Sequence, residues 1–565
     1  MKKLIVILLS AMFILAGCSN NEVTNEEISA PTVDVETIST EVTTLNGIVT
    51  GTEIEDTLVW YGIPYGESPV GDLRWAEPVP VEAWEETLDC TTVQDMALQV
   101  VNNEVTGTED CLNLDIYSKE DANDLPVLVY IHGGNNQSGT SMELQGTDIV
   151  QNDDAVYVTI NYRLGLLGFN DLPAITSSNE TTGNFAMLDI ALALDWINAN
   201  IQEFGGNPDN ITISGFSAGG RDVMAMLISP VFEDKFDKAI VFSGGMTLSE
   251  DELSIDKIGE ALAPIVIADN KATDTEGAIE WITSDNEEVK EYLQGLDSNT
   301  LVTLMTNAGI RMSVFPHLYQ DGISIDENGF ETTSYNSVPV MMLSGTTEFS
   351  FFSLYDPYFS SDDLADLSED EMNAAKLFVV KYGSEMYKIF NTTESAKTMI
   401  NNYDEDIYLT WIDYANLDSE IASNLPMFGS FHGIFVPMLT SVNNYTAYFP
   451  EEFSKAGYQD MASIFNSYLE NFLSTGNPNG EELTEWNPWT SDNQSVMVLD
   501  ANNESATSIE QVVSLTYSDI IEEMENDTTV SDDVKLKLIQ NIMNGRWFSA
   551  ELDAYYENSN LWSVK

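Results

Sequence analysis

Gly215-Phe216-Ser217-Ala218-Gly219 is the stretch whose reading decides the fold of this chain. The pentapeptide fits the G-x-S-x-G pattern of a nucleophile elbow, a sharp strand-to-helix turn that lifts a serine hydroxyl above a sheet. Its flanks supply both neighbours. Ile211-Thr212-Ile213-Ser214 is rich in β-branched residues and predicts a buried strand, and residues 218–229 (AGGRDVMAMLIS) predict a helix. The glycines permit the strained turn and close packing of strand on helix. Ser217 then stands at the carboxyl end of a strand.

Short apolar runs recur on both sides of the elbow. Pro126–Ile131, Ala155–Asn161, Asn210–Ser214, Ala239–Ser243 and Val338–Ser344 suit strands buried on both faces. Between two of them Met187, Ile190, Leu194, Ile197 and Ile201 repeat at three- and four-residue spacing, which predicts an amphipathic helix. Strands alternating with helices predict an α/β fold with a mostly parallel, doubly wound central sheet. Ligands bind at the carboxyl ends of such strands. Residues 250–310 and 360–425 read as helical, acidic insertions shaping the mouth of the site. Residues 44–565 read as one large domain.

The chain has 565 residues, 43% of them hydrophobic, so it can build a large core and wholesale disorder is excluded. Its net charge of -72 repels nucleic acid and excludes a nucleic-acid partner. Such acidity reads as a solvated shell that keeps an extracellular or salt-tolerant protein soluble. No cluster has metal-ligand spacing, so neither a metal nor an organic cofactor is expected. Nothing in the sequence sets an oligomeric state.

At the N-terminus, Lys2-Lys3 precede an apolar run from Leu4 to Leu15 that is short for a membrane span. Leu15-Ala16-Gly17-Cys18 resembles a bacterial lipobox. The resemblance implies a lipoprotein signal peptide over residues 1–17 and lipidation of Cys18. Residues 18–43 are polar and acidic and read as a flexible tether. The protein is therefore expected outside the cytoplasm, held to a bacterial cell membrane by its lipid.

Further motifs build one family resemblance. Tyr61-Gly62-Ile63-Pro64-Tyr65-Gly66, Pro69–Trp75 and Pro78 are followed by Glu109-Asp110-Cys111-Leu112-Asn113-Leu114. Then come Asn161–Gly165, Gly183-Asn184, Phe204–Pro208, Gly476–Asn479 and Trp486–Trp489. In this order they resemble the type-B carboxylesterases, an α/β-hydrolase family that includes para-nitrobenzyl esterases and cholinesterases, and the likeness spans residues 44–500. It implies an α/β-hydrolase fold. It also implies structural ion pairs Arg74–Glu109 and Arg163–Asp189, and a disulfide between Cys90 and Cys111, the pair left if Cys18 is lipidated. A bridge closing that loop would stabilise by about 3 kcal/mol. The arginines number five, Arg74, Arg163, Arg221, Arg311 and Arg546, and in so acidic a chain each is expected to have a specific partner.

A serine hydroxyl needs a base to take its proton. The chain has three histidines, His132, His317 and His432. By resemblance His432, in Gly429-Ser430-Phe431-His432-Gly433, is the catalytic base. His132 belongs to a loop, His132-Gly133-Gly134-Asn135, that resembles an oxyanion-hole loop. Its ring is read as structural, and His317 as a surface or packing residue. The implied oxyanion donors are the backbone N–H groups of Gly134, Asn135 and Ala218. Asn tolerates the positive φ such a loop can demand. Glu348, in Gly345-Thr346-Thr347-Glu348-Phe349, resembles the family's orienting acid, with Asp321 the second choice. The order Ser217, Glu348, His432 is that of α/β-hydrolases.

Five positions depart from the family pattern, the first being Asn135, where most relatives carry a small residue, usually Gly or Ala. Relatives often carry acids at the positions of Phe216, Thr347 and Phe435, and a glycine at that of Phe349. Loss of a buried acid beside the histidine implies a drier site. The gap between Glu348 and His432 is shorter than in many relatives, which implies a reduced gorge. No tryptophan lies between Cys90 and Cys111, which argues against choline esters. Phe351, Phe352, Tyr355, Tyr358 and Phe359 are read either as an apolar wall for an acyl or aryl group or as core. The resemblance implies a serine carboxylesterase acting on small-molecule esters. The readings beside it are an inert adhesion module of the same fold, and a lipase or feruloyl-type esterase with the same chemistry.

Overall fold

The computed structural model describes residues 37–176, 181–304, 316–414, 427–449 and 451–558. The signal peptide, Cys18 and tether residues 18–36 lie outside the described residues. An eleven-stranded sheet runs through the molecule. Its strands are β1 (Thr52–Ile54), β2 (Thr57–Pro64), β3 (Asn113–Ser118), β4 (Leu125–Ile131), β5 (Val156–Ile160) and β6 (Gly206–Phe216). They continue with β7 (Lys238–Phe242), β8 (Val340–Gly345), β9 (Ile407–Ile412), β10 (Ser495–Ala501) and β11 (Ala506–Val512). The spatial order is 11-10-9-8-7-6-4-5-3-2-1. From β10 across to β5 every pairing is parallel, and both outer edges are antiparallel. The mostly parallel sheet expected from the apolar runs is therefore present.

Alternation along the strands sends side chains to two separate cores. Val127, Val129 and Ile131 join one, with Ala239, Val241, Val340 and Met342. Leu128 and Tyr130 join the other, with Ile240, Phe242, Met341 and Leu343. Period-two geometry thus buries both faces, which is why these strands read as unbroken apolar runs. Helix α1 (Phe185–Asn200) packs Met187, Ile190, Leu194 and Ile197 into the first core. The helix Ala456–Thr475 packs Met461, Phe465, Leu469 and Phe472 into the second. Helix α1 is buried on nearly every side rather than amphipathic, because its remaining face carries Asp189 onto Arg163.

Several boundaries differ from the sequence reading. The fold begins before Thr44: Glu41–Thr43 pairs with Ile48–Thr50, and Val42 is buried where the tether was expected. The region 360–425 is not wholly a helical insertion, since its IYLTWI run forms β9 inside the sheet. Helix α2 (Ala218–Met226) ends three residues before the expected Ser229. The expected Cys90–Cys111 bridge is absent, and both residues are free, buried thiols. Burial pushes Cys90 up to about 12 and Cys111 higher still. Burial thus keeps both thiols protonated in the folded protein.

Both expected ion pairs form. Arg74 meets Glu109 through two bonds of 2.6 and 3.0 Å. Arg163 meets Asp189 through bonds of 2.7 and 2.8 Å, fully inside the protein.

Candidate active site

Strand β6 ends at Phe216, and helix α2 starts at Ala218. The residue between them, Ser217, adopts φ 57 and ψ -114. A non-glycine residue there carries about 1–3 kcal/mol of strain. Surrounding contacts hold the turn: Ser217 N–H donates to Phe242 O at 2.9 Å, and Arg221 N–H donates to Ser217 O at 3.1 Å. Glycine is required on both sides. A Cβ on Gly215 would fall 2.2 Å from Gly219 O, and one on Gly219 would fall 2.1 Å from Ile131 O.

Glu348 follows β8, and His432 lies on a loop folded against that strand's end. Thr347 N–H donates to Ser430 O, and Ser350 Oγ donates to Phe428 O. The two loops thereby bring His432 Nδ1 to 2.6 Å from Glu348 Oε2. A carboxylate only accepts, so in the neutral imidazole Nδ1 carries the proton and Nε2 does not. His432 Nε2 has no hydrogen-bond partner among the described residues. Glu348 is fully buried, and its Oε1 accepts from the Ser243 hydroxyl, from Ser344 Oγ at 3.1 Å and from Gly345 N–H at 2.6 Å. Asp321 is committed elsewhere. It takes bonds from Thr182, Asn184 and the backbone of residues 323–325, which leaves Glu348 as the acid beside His432.

Ser217 and His432 share a cavity of about 280 Å³ with Gly134 and Asn135. Asn135 has φ 58 and Gly134 φ 94, so the loop does demand positive φ where Asn replaces a smaller residue. Ala218 N–H lies at the first turn of α2, where backbone donors lack intrahelical partners. His132 serves the loop's structure. Its ring stacks on Tyr162 at 4.5 Å, its Nδ1 meets Gly133 O at 2.9 Å, and burial lowers it to about 4, so it stays neutral. His317 is a packing residue against Phe169.

The sequence departures cluster around His432. Phe216 lies 4.5 Å from its ring and 5.1 Å from Phe435, and Phe435 stacks on Phe242 at 4.2 Å. Phe216 and Phe435 therefore fill one another's surroundings. Phe349 is buried against Phe352, Trp547 and Phe548, over Gly383, whose missing side chain leaves it room. Phe351 and Phe352 do line the cavity, and Phe352 stands 4.4 Å from His432. Tyr355 is instead 76% exposed, and Tyr358 and Phe359 do not line the cavity but pack in the hydrophobic cluster that backs Phe352.

Sequence reasoning assigned no part in this cavity to Glu143, Arg221, Tyr387 and Asp222. Glu143 accepts from Gly133 N–H at 2.8 Å and Tyr130 O–H at 3.0 Å, which braces the loop below Gly134. Asp222 accepts from Asn136 Nδ2 at 2.7 Å, tying α2 to the same loop, and burial raises it to about 7. Arg221 lines the cavity and donates to Tyr387 Oη at 3.1 Å. Arginine's scarcity was the one signal pointing to Arg221. Among the described residues, no group of His, Cys, Asp or Glu is arranged to hold a metal ion.

The sequence matches the carboxylesterase family over residues 34–405 and 276–516. It is 39% identical over 214 residues to para-nitrobenzyl esterase of Bacillus subtilis (strain 168), covering 36% of this chain and 43% of that protein. It is 38% identical over 210 residues to esterase B1 of Culex pipiens, covering 36% and 38%. In sequence, the chain thus spans about two fifths of the length of these curated relatives. A solved structure of PNB esterase superposes with a TM-score of 0.67 at 23% identity, over 86% of this chain and 99% of that one. At that identity the likeness speaks for the α/β-hydrolase fold.

Proposed function

This chain belongs to the carboxylesterase family, and from that premise we propose that it is a serine carboxylesterase working through an acyl-enzyme. The observation that carries the reading is the 2.6 Å contact of His432 Nδ1 with Glu348 Oε2, beside a serine held on a strained elbow. Ser217 Oγ attacks the ester carbonyl while His432 Nε2 takes the hydroxyl proton. The carbonyl π electrons move onto oxygen. That oxyanion is met by the N–H groups of Gly134, Asn135 and Ala218, and losing one such donor costs about 3 kcal/mol. As the tetrahedral intermediate collapses, His432 returns its proton to the departing alcohol. Water then repeats the cycle on the acyl-enzyme, releasing the acid and restoring Ser217. Glu348 holds the imidazole tautomer and stabilises the imidazolium. Phe216 and Phe352 flank the His432 ring.

The test is hydrolysis of p-nitrophenyl butyrate by the purified protein and by Ser217→Ala. The reading expects turnover in the former and a fall of at least about 10⁴-fold in the latter. Equal rates would refute it. We also propose that Cys18 carries a lipid that anchors the enzyme to a bacterial membrane. Its support is the lipobox-like Leu15-Ala16-Gly17-Cys18 alone. Radiolabelled palmitate should enter the wild type and not Cys18→Ser, and equal labelling would overturn the assignment.

A further inference from the structure

We propose that Asn136 and Asp222 are positioning residues: the bond between them clamps the oxyanion loop to helix α2 and fixes the N–H groups of Gly134 and Asn135 relative to that of Ala218. The inference rests on the esterase reading of Ser217 and His432.

The three donors come from two separate segments. Gly134 and Asn135 belong to the loop after β4, and Ala218 opens α2. An oxyanion meets all of them only if the two segments hold one spacing, and a donor displaced from its place stabilises the transition state less. The loop does not hold its shape by local preference. Gly134, Asn135 and Asn136 have φ of 94, 58 and 55, three left-handed residues in a row, two of them with side chains. Such a run persists where its surroundings over-determine it.

Asn136 is where those surroundings take hold. Its Nδ2 donates to Asp222 Oδ1 at 2.7 Å, its Oδ1 lies 3.1 Å from the Tyr162 hydroxyl, and its carbonyl accepts from Gly165 N–H at 2.6 Å. The Tyr162 hydroxyl also lies 2.9 Å from His132 O, where the loop begins. Asp222 stands four residues after Ala218, one helical turn away on the same face. The clamp therefore joins the two loop donors to the turn that carries the third. Gln99 and Glu143 bond the loop as well, at Gly139 and Gly133, but neither belongs to α2. Asn136, Asp222 and Tyr162 are all buried and none lines the cavity, so the clamp acts from behind the donors without touching substrate. Burial raises Asp222, and the Asn136 amide leads the contacts that lower it again, so the bond favours the carboxylate, which is the stronger acceptor.

The experiment combines turnover of p-nitrophenyl butyrate with inhibition by butyl trifluoromethyl ketone. Ser217 Oγ bonds to the ketone carbon, its proton passes to His432, and the carbonyl π electrons leave a hemiketal oxyanion on the same N–H groups. The inhibition constant is independent of how much of a variant is folded. Asn136→Gly removes the amide and keeps a backbone that tolerates positive φ, and Asp222→Ala removes the acceptor. Each should lower kcat and raise the inhibition constant at least about tenfold, and the double variant should fall no further than the singles. Asp222→Asn, whose carbonyl still accepts from Asn136, should recover most of both. An inhibition constant within about threefold of wild type in Asn136→Gly, or effects that multiply in the double variant, would overturn the clamp and leave the esterase reading intact. If the wild type turns over no ester, the esterase reading falls and takes this inference with it. Should Asp222→Ala fail to fold, the inhibition constant of Asn136→Gly decides alone by the same limits.

Discussion

The elbow side of the cavity and the aromatic side around His432 enclose the same space but come from different ranges of the chain. On the elbow side, Gly134, Asn135, Ser217 and Ala218 sit where two neighbouring strands end, and what they offer is backbone geometry. On the aromatic side, Phe352 lines the cavity and is backed by Tyr387 and then Phe548 from distant segments, and what they offer is packing. Backbone geometry tolerates few sequences, so it leaves motifs. Packing tolerates many, so it leaves none. The contrast sets backbone geometry around Ser217 on the first side and side-chain packing around His432 on the second.

The largest expected effect breaks the orientation of the base. Glu348→Gln places an amide donor against the Nδ1–H of His432 and should lower kcat about 10⁴-fold while the protein stays folded, read by steady-state kinetics with circular dichroism. On the aromatic side, Phe548→Ala removes a ring that touches Tyr387, Phe390 and Phe349. It should cost about 3–5 kcal/mol of stability in denaturant titration, a loss of packing rather than of chemistry.

How much of this is legible in the sequence follows the same divide. Ser217, His432 and Glu348 stand out because glycines and apolar strands fix their loops. The sheet is legible because strands buried on both faces read as apolar runs. Strand β9 hides within acidic surroundings, and pattern reading merges it with the helices beside it. The strand Glu41–Thr43 is short and half-exposed, so its composition looks like tether. Pairing of Cys90 with Cys111 followed from the family likeness, whereas burial leaves both as protonated thiols. The contacts of Arg221 with Tyr387 and Phe548 are not legible, because only the fold brings those residues together.

A smaller effect joins the two sides. Phe216→Glu sets a carboxylate where a ring now lies 4.5 Å from His432. The added charge favours imidazolium, and the base works only when neutral. The acidic limb of kcat/KM should therefore move to higher pH by on the order of one unit, and an unmoved limb would contradict the role given to Phe216.

The smallest effect concerns the protein as a whole. Burial first raises Asp153 and Asp171 to about 8 and Asp222 to about 7 from an ordinary value of 3.8. Groups raised in the folded state add stability at low pH and lose it as pH climbs through those values. His132, lowered from 6.5 to about 4, works the other way, but only below 6.5. Between pH 8.5 and 6.5 these three acids favour the folded state as pH falls, so the melting temperature should rise across that window. A melting temperature that falls there would contradict the assigned burial.

The central claim is a covalent acyl group on Ser217. Acid quenching during turnover of p-nitrophenyl butyrate, followed by peptide mass mapping, tests it most directly. The account predicts one butyryl group on the peptide bearing Ser217, absent from Ser217→Ala. A butyryl group on any other residue, with turnover surviving in Ser217→Ala, would contradict it.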